Sequence, residues 1–326
     1  DGKSYLAPGD YATRAQMVTM LYRFLTSDHI DAPPSKMTGL MTADPSVYVV
    51  GDEYLICVLV EKETTMWVEV NGKNYYDHSN GILRSDKFLH TVRVPQEALD
   101  SARGYTVHLR EIIERKPYYT VCGGLEEATY DFRPVTEKDH YNIINLADSH
   151  SLVDAPIASG SYFGNDLDLL VMNGDIIDNS GNIASFKIIY RISGGITKGE
   201  VPCVYSRGNH ELRGIYASQL SEYTPTDHGN SYFTFRVGPI WGIVMDAGED
   251  KPDDNAEYGN TVACEAFREE ESEFLDKVIA SREWEGAKIK LIISHVPFVI
   301  KMSAPYNIEE ERYADWSRKL ASIEPT

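Results

Sequence analysis

Between residues 37 and 135, short apolar runs alternate with polar positions and turn signals, a pattern that predicts strands rather than helices. The runs fall at Val47 to Val50, Tyr54 to Val60, Trp67 to Val70 and Tyr105 to Leu109. Asn71-Gly72 separates Trp67–Val70 from Lys73–Tyr76, the strongest short-range hairpin signal. Strands of this length and spacing predict a β-sandwich of about 100 residues. Ahead of it, Thr13 can cap a helix whose apolar positions recur at helical spacing over 14–25, and Ala32-Pro33-Pro34-Ser35 reads as a linker.

From His140 onward the pattern changes. Four apolar runs each stop at polar side chains able to hold a metal. Residues 142–147 end at Asp148-Ser149-His150, and residues 169–172 end at Asn173-Gly174-Asp175. Residues 201–205 lead to Gly208-Asn209-His210, and residues 289–293 end at Ser294-His295. Such runs fit buried strands of an α/β fold, where ligands gather just beyond the carboxyl ends of strands. Between the third and fourth runs, Ser231 to Val237 and Ile240 to Asp246 read as two further strands split by Gly238-Pro239. Phe267, Phe274, Leu275 and Val278 mark one face of a helix.

Taken singly, each strand end has an ordinary reading. An Asp-x-His is a common loop, Gly-Asp is a common turn, and Gly-Asn-His-Glu can be a helix start capped by Asn209. In succession they deliver Asp/His, Asp, Asn/His and His, the ligand types that suit manganese, iron or zinc. Gly174 and Gly208 stand where close backbone turns are needed. Gathering so many polar groups in one cleft is costly unless a metal compensates them.

Composition narrows the partners. The chain has 326 residues, enough for two domains, and 50 acidic against 31 basic residues give a net charge of −19. That balance disfavours nucleic acid and anionic membrane as partners, because both need a basic footprint. No apolar run is long enough to span a bilayer. Cys57, Cys122, Cys203 and Cys264 show no paired C-x-x-C spacing. Cys57 and Cys122 share the β-rich segment and could pair, but buried free thiols are the expected state. His78, His90 and His108 share no ligand spacing and read as surface or core residues.

The C-terminal motifs resemble those of the calcineurin-like metallophosphoesterases, whose order is D-x-H, G-D-x-x-(D/Y), G-N-H-(E/D), a strand-end H and then G-H-x-H. Here they stand as Asp148-Ser149-His150, Gly174-Asp175-Ile176-Ile177-Asp178, Gly208-Asn209-His210-Glu211 and Ser294-His295. The resemblance implies an α/β domain over 138–326, a four-layer β-sandwich flanked by helices. It implies two divalent or transition metal ions, manganese, iron or zinc. Asp148 and His150 would hold one, Asp175 would bridge both, and Asn209 and His295 would hold the other. His210 would protonate the leaving oxygen, oriented by Asp148, and Arg207 would grip the phosphate. The implied reaction is hydrolysis of phosphate mono- or diesters by attack of a metal-bridging hydroxide on a small-molecule substrate.

Two departures stand out. Asp178 replaces the tyrosinate ligand of purple acid phosphatases, so a purple centre is not expected. No G-H-x-H follows His295, which reads as a domain truncated at its C-terminus. The segment 37–135 is similar to the Ig/fibronectin III-like domain that precedes the catalytic domain of purple acid phosphatases. Residues 1–31, with Tyr5-Leu6-Ala7-Pro8-Gly9-Asp10, Thr13-Arg14-Ala15 and Leu21-Tyr22-Arg23, resemble one partial S-layer homology motif. That resemblance implies an extracellular, Gram-positive-like bacterial surface and a cell-wall polymer as a further partner. The alternative reading is a surface adhesion protein whose phosphoesterase fold has lost activity.

Overall fold

Alternation of side chains decides where the N-terminal strands face. In the run Thr64–Val70, Thr64, Met66, Val68 and Val70 are buried while Thr65, Trp67 and Glu69 are half exposed. The computed structural model describes residues 36–298 and 301–326, which belong to one compact unit. The helix read over 14–25 and the S-layer-like segment 1–31 lie outside the described residues.

The first strands are β1 (Ser46–Val50), β2 (Glu53–Leu59), β3 (Thr64–Val70), β4 (Lys73–Tyr76), β5 (His78–Ser79), β6 (Ile82–Leu83) and β7 (Leu89–Pro95). A short helix α1 (Gln96–Ala102) leads to β8 (Gly104–Arg115), β9 (Thr120–Cys122) and β10 (Glu126–Asp131). The expected hairpin forms, with Trp67 opposite Tyr76 and Val70 opposite Lys73. Asn71 and Gly72 take φ of +50° and +77°, the two left-handed positions a tight two-residue turn demands.

The C-terminal part adds β11 (Ile143–Leu146), α2 (Asp154–Gly160), β12 (Leu169–Asn173), α3 (Lys187–Thr197), β13 (Pro202–Ser206) and α4 (Leu220–Tyr223). It continues through β14 (Phe233–Val237), β15 (Ile240–Val244), α5 (Cys264–Ser281), β16 (Ile289–Ile293) and α6 (Glu310–Ala321). Each of the four apolar runs that stop at candidate ligands is a strand.

The sheets cut across the expected division near residue 136. One six-stranded sheet runs β11-β12-β13-β1-β2-β7, with β1 parallel to β13 through Val47–Pro202 and Tyr48–Cys203. Helix α3 locks this junction: the Ser193 hydroxyl lies 2.7 Å from that of Ser46 and accepts a hydrogen bond from Tyr48 Oη at 2.8 Å. A Cβ on Gly194 would lie 2.1 Å from the Asp44 carbonyl oxygen, so only glycine allows the helix this close. The boundary read between 135 and 138 therefore runs through a shared sheet and core.

Strands β10-β8-β3-β4 form a second sheet with β9 beside β8, and β14-β15-β16 form a third. On the third sheet, Trp241, Ile243 and Met245 share an apolar core with Leu275 and Val278 of α5 and Trp316 and Leu320 of α6. The architecture is mixed α/β with several sheets. Among the cysteines, Cys57, Cys203 and Cys264 are buried free thiols and Cys122 is an exposed one.

Candidate metal centre

Parallel strands β11, β12 and β13 bring their carboxyl ends together, and β16 brings His295 to the same place. The loop after β11 lies along the loop after β12. The backbone N–H groups of Asp148, His150 and Ser151 donate to the carbonyls of Gly174, Asp175 and Ile176 at 2.9–3.1 Å. Asp148, His150, Ser151 and Asp175 all have left-handed backbones, with φ from +43° to +65°. Non-glycine residues adopt that conformation at a cost, and it concentrates at functional sites where neighbours over-determine it. A Cβ on Gly174 would lie 2.4 Å from the His295 ring, so this glycine makes room for a candidate ligand.

The donor atoms of Asp148, Asp175 and His295 lie within 4.8 Å of one another, and so do those of His150, Asp178 and His210. The two groups touch: His150 Nε2 is 3.9 Å from Asp148 Oδ1, and His210 Nε2 is 3.9 Å from Asp175 Oδ2. Asp148 thus gathers with Asp175 and His295 while lying 3.9 Å from His150, the residue expected beside it. Asn209 lines the same cleft as Asp148 and His295 and makes no capping hydrogen bond, so the helix-cap reading of Asn209 does not hold.

The histidines are aimed. His295 Nδ1 donates to the Asn173 carbonyl at 2.8 Å, which turns Nε2 toward Asp175 Oδ2 at 3.3 Å. His210 Nδ1 donates to the Asp178 carbonyl at 2.8 Å. A ring nitrogen committed to a backbone carbonyl leaves the other free for a metal or a proton, the usual arrangement of ligating histidine. Burial alone would raise the Asp175 carboxyl. His295 and the His210 backbone N–H outweigh it and hold the group below its ordinary value. Burial disfavours charged His295, but its bond to Asp175 and the neighbouring charge bring it up to about 9. A donor set that keeps a proton between Asp175 and His295 is one a cation can replace, because metal ligands must be deprotonated. The residues fit a metal.

A sequence profile of the calcineurin-like phosphoesterases matches residues 141–321. The chain belongs to that family. The purple acid phosphatase PPD1 from yellow lupin (Lupinus luteus) seeds is 14% identical, with a TM-score of 0.50 over 78% of this chain and 51% of its own. PhoD is 12% identical, with a TM-score of 0.47 over 91% of this chain and 70% of its own. At 14% identity the likeness to the lupin phosphatase is one of fold, and the chain spans about half of that protein's length. No curated protein matches the chain in sequence.

Two roles carried by the phosphoesterase resemblance meet a different geometry. Arg207 is turned into the protein: its Nη2 pairs with buried Asp246 at 2.7 Å and its guanidinium sits 5.2 Å over the Phe267 ring. It offers no open fork to a phosphate. His210 has no hydrogen bond to Asp148 among the described residues; Asp178 and Arg213 hold it instead. Arg213 Nη1 lies 3.2 Å from His210 Nε2, while its Nε and Nη2 donate to both oxygens of Glu249 at 3.0 Å. That bidentate bond leads the interactions raising the Arg213 pKa, so the side chain is a fixed cation beside His210.

Glu211 is the other residue that sequence reasoning left without a role. Its fully buried carboxylate accepts backbone N–H bonds from Asp175, Ile176, Ile177 and Gly208 at 2.8–3.3 Å, tying the β12 loop to the β13 loop. Burial, with Asp175 nearby, raises its pKa, and the N–H bonds oppose the rise. Its place directly after Asn209-His210 was the available signal. Arg213 carried none.

Proposed function

We propose that this chain is a metal-dependent phosphoesterase that hydrolyses phosphate mono- or diesters at the ends of β11, β12, β13 and β16. The observation that carries the reading is the convergence of Asp148, Asp175 and His295 with His150, Asp178 and His210 in a family member. Asp148, Asp175, Asn209 and His295 would hold one ion, and His150 with Asp178 a second, with Asp175 between them. Manganese, iron and zinc suit this donor set. Such a pair supplies an activated water as nucleophile and neutralises charge on the phosphoryl group.

The chain's own residues do the rest. Asn173 and Asp178 carbonyls fix the tautomers of His295 and His210, so Nε2 of each faces the cleft. To act as proton donor, His210 must take up a proton on Nε2 in place of the bond it accepts there from Arg213 Nη1, and it would then pass that proton to the departing oxygen while Arg213 positions its ring. Glu211 holds the two loops in register. The β11-β12-β13 half of the six-stranded sheet and the three-stranded sheet form the central sandwich of the four-layer arrangement, a reading supported by Leu170, Val204, Phe233 and Val244 sharing one core. Strands β1 to β10, in three- and four-stranded antiparallel groups, are read as the Ig/fibronectin III-like part. The S-layer-like residues 5–23 support an extracellular bacterial surface and a wall polymer as partner.

The test is metal content by plasma mass spectrometry for the protein and Asp175→Ala, followed by hydrolysis of p-nitrophenyl and bis-p-nitrophenyl phosphate. Near-stoichiometric metal that disappears in the variant, with turnover that follows it, is expected. Protein that stays metal-free and inactive after manganese and zinc are supplied would sink the reading.

A further inference from the structure

Two cations meet beside the metal cleft, and a carboxylate from an exposed loop bridges them. Arg213 Nη1 lies 3.2 Å from His210 Nε2 on one side and 3.3 Å from Glu257 Oε1 on the other. The second oxygen of Glu257 lies 3.0 Å from Lys251 Nζ. Asp250 and Tyr306, which both touch that lysine, line the cleft of about 420 Å³ that holds Asp148, Asn209 and His295. The bridge therefore stands one guanidinium away from the histidine read above as the proton donor.

Both cations are built in. Glu249 takes Nε and Nη2 of Arg213 at 3.0 Å, which leaves Nη1 as the free end of the guanidinium. Lys251 Nζ lies 3.2 Å from Asp250 Oδ1, and 5.4 Å and 5.8 Å over the rings of Tyr306 and Tyr258. Tyr258 Oη ties this corner together, accepting from the Lys251 backbone N–H at 3.1 Å and donating to Asp250 at 3.0 Å. Glu257 is the exposed member, carried by a loop of turns between 251 and 260. Lys251 holds its carboxyl below the ordinary value, so the seat favours a negative charge. An exposed ion pair contributes little to stability, and a carboxylate held this way can be exchanged for another. Charge counting gives the size of the replacement. Arg213 and Lys251 are already matched by Glu249 and Asp250, so the seat takes one further negative charge, the one Glu257 supplies.

We propose that the seat between Arg213 and Lys251 receives a carboxylate on the leaving group of the substrate, and that Glu257 occupies the seat until that carboxylate displaces it. The substrate class is then the phosphate ester of a short hydroxy acid. The assignment rests on the phosphoesterase reading above. Distance favours a carboxylate close to the ester oxygen. His210 Nε2 and Arg213 Nη1, which face the ester oxygen and the carboxylate, are 3.2 Å apart, close to the spacing of those two oxygens when one CH2 separates the groups. Water attacks phosphorus, the P–O bond to the leaving oxygen breaks, and that oxygen takes up one proton, giving inorganic phosphate and the free hydroxy acid. A second phosphate would bring nearly two charges to a seat balanced for one. A leaving group without charge leaves Glu257 in place and gains nothing from Lys251.

The probes are 3-phosphonopropionate, whose P–C bond resists hydrolysis, and its carboxamide, with phosphoglycolate and phosphoglycolamide as the matching esters. First, binding of the two phosphonates is followed by calorimetry with manganese supplied, in the natural protein, Lys251→Gln and Glu257→Gln. The carboxylate is expected to bind at least about fivefold more tightly than the carboxamide. Lys251→Gln should remove that preference, and Glu257→Gln should widen it about threefold or more. A bridge that merely ties the loop down is broken by either substitution, so shifts in the same direction overturn the proposal. Equal affinities, or no binding of either phosphonate, also overturn it. Second, kcat/KM for phosphoglycolate over that for phosphoglycolamide should follow the same order across the three proteins, a comparison in which leaving-group reactivity cancels. Hydrolysis of both esters with a ratio indifferent to both substitutions overturns the proposal and leaves the phosphoesterase reading standing. Preferential binding with no hydrolysis of either ester overturns the phosphoesterase reading and, with it, the leaving-group role.

Discussion

A Cβ placed on Gly208 would lie 2.2 Å from Oδ1 of Asp175 and 2.3 Å from its backbone nitrogen. The third motif therefore presses on the second at closer than van der Waals distance, with only a hydrogen atom between them. Gly208→Ala must push the Asp175 loop aside. Metal content should fall by half or more and hydrolysis by at least about 100-fold, the scale of a 1 Å misplacement of catalytic groups. Circular dichroism should show the strands intact. Normal metal content in the variant would mean that the loop gives way freely.

Glu211 should matter for stability more than its silence in the sequence suggests. An amide in its place brings N–H groups against N–H groups and cannot satisfy all four backbone donors. Glu211→Gln is expected to lower the unfolding free energy by about 2–4 kcal/mol, the range for losing charge-assisted bonds and stranding buried donors. Urea unfolding of the metal-free protein measures it. A change under about 0.5 kcal/mol would assign the loop register to other contacts.

The two arginines should separate cleanly. Arg207→Ala leaves Asp246 buried without its cation, so about 3–5 kcal/mol of stability should be lost. The folded fraction should keep its KM. Arg213→Ala strands the equally buried Glu249 and should cost stability on the same scale, but unlike Arg207→Ala it should also lower kcat of the folded fraction about 10- to 100-fold through His210. Arg213→Lys keeps the charge but not the fork to Glu249, and should recover only part of the rate.

The Asp175–His295 pair predicts how metal-free protein responds to pH. His295 is raised from 6.5 to about 9, so its contribution is complete below 6.5 and lost as pH climbs through 9. Asp175 lies below its usual 3.8, so its contribution is complete above 3.8 and lost as pH falls through that lower value. Melting temperature in EDTA should therefore peak between 3.8 and 6.5 and decline toward alkaline pH. His295→Gln should flatten the alkaline limb. Metal added near neutral pH should release a proton, seen as a calorimetric enthalpy that varies with the buffer.

The strand ends were legible because an apolar run that stops at Asp148, Asp175, Asn209 or His295 is a local signal, and local signals survive without a structure. Asn71-Gly72 was readable for the same reason. The direction of Arg207 was not, because Asp246 comes from the far end of β15 and nothing near residue 207 announces it. Nor was the pairing of β1 with β13, since a parallel pair needs no turn and joins distant parts of the chain. Arg213 and Glu249 meet across two loops, each an ordinary charged residue in its own neighbourhood.

Strand β1 is the rail on which β13 closes, and that constrains how the protein can be cut, exchanged or inherited. A break at residue 136 that carried away residues 46–50 would leave β13 with a bare row of N–H and C=O groups, an adhesive edge that recruits other chains. The phosphoesterase part is thus not a cassette that recombination can lift out at the motif boundary; residues 46–326 travel together. Proteolytic nicking between 133 and 141 should accordingly yield two fragments that co-elute and separate only in denaturant.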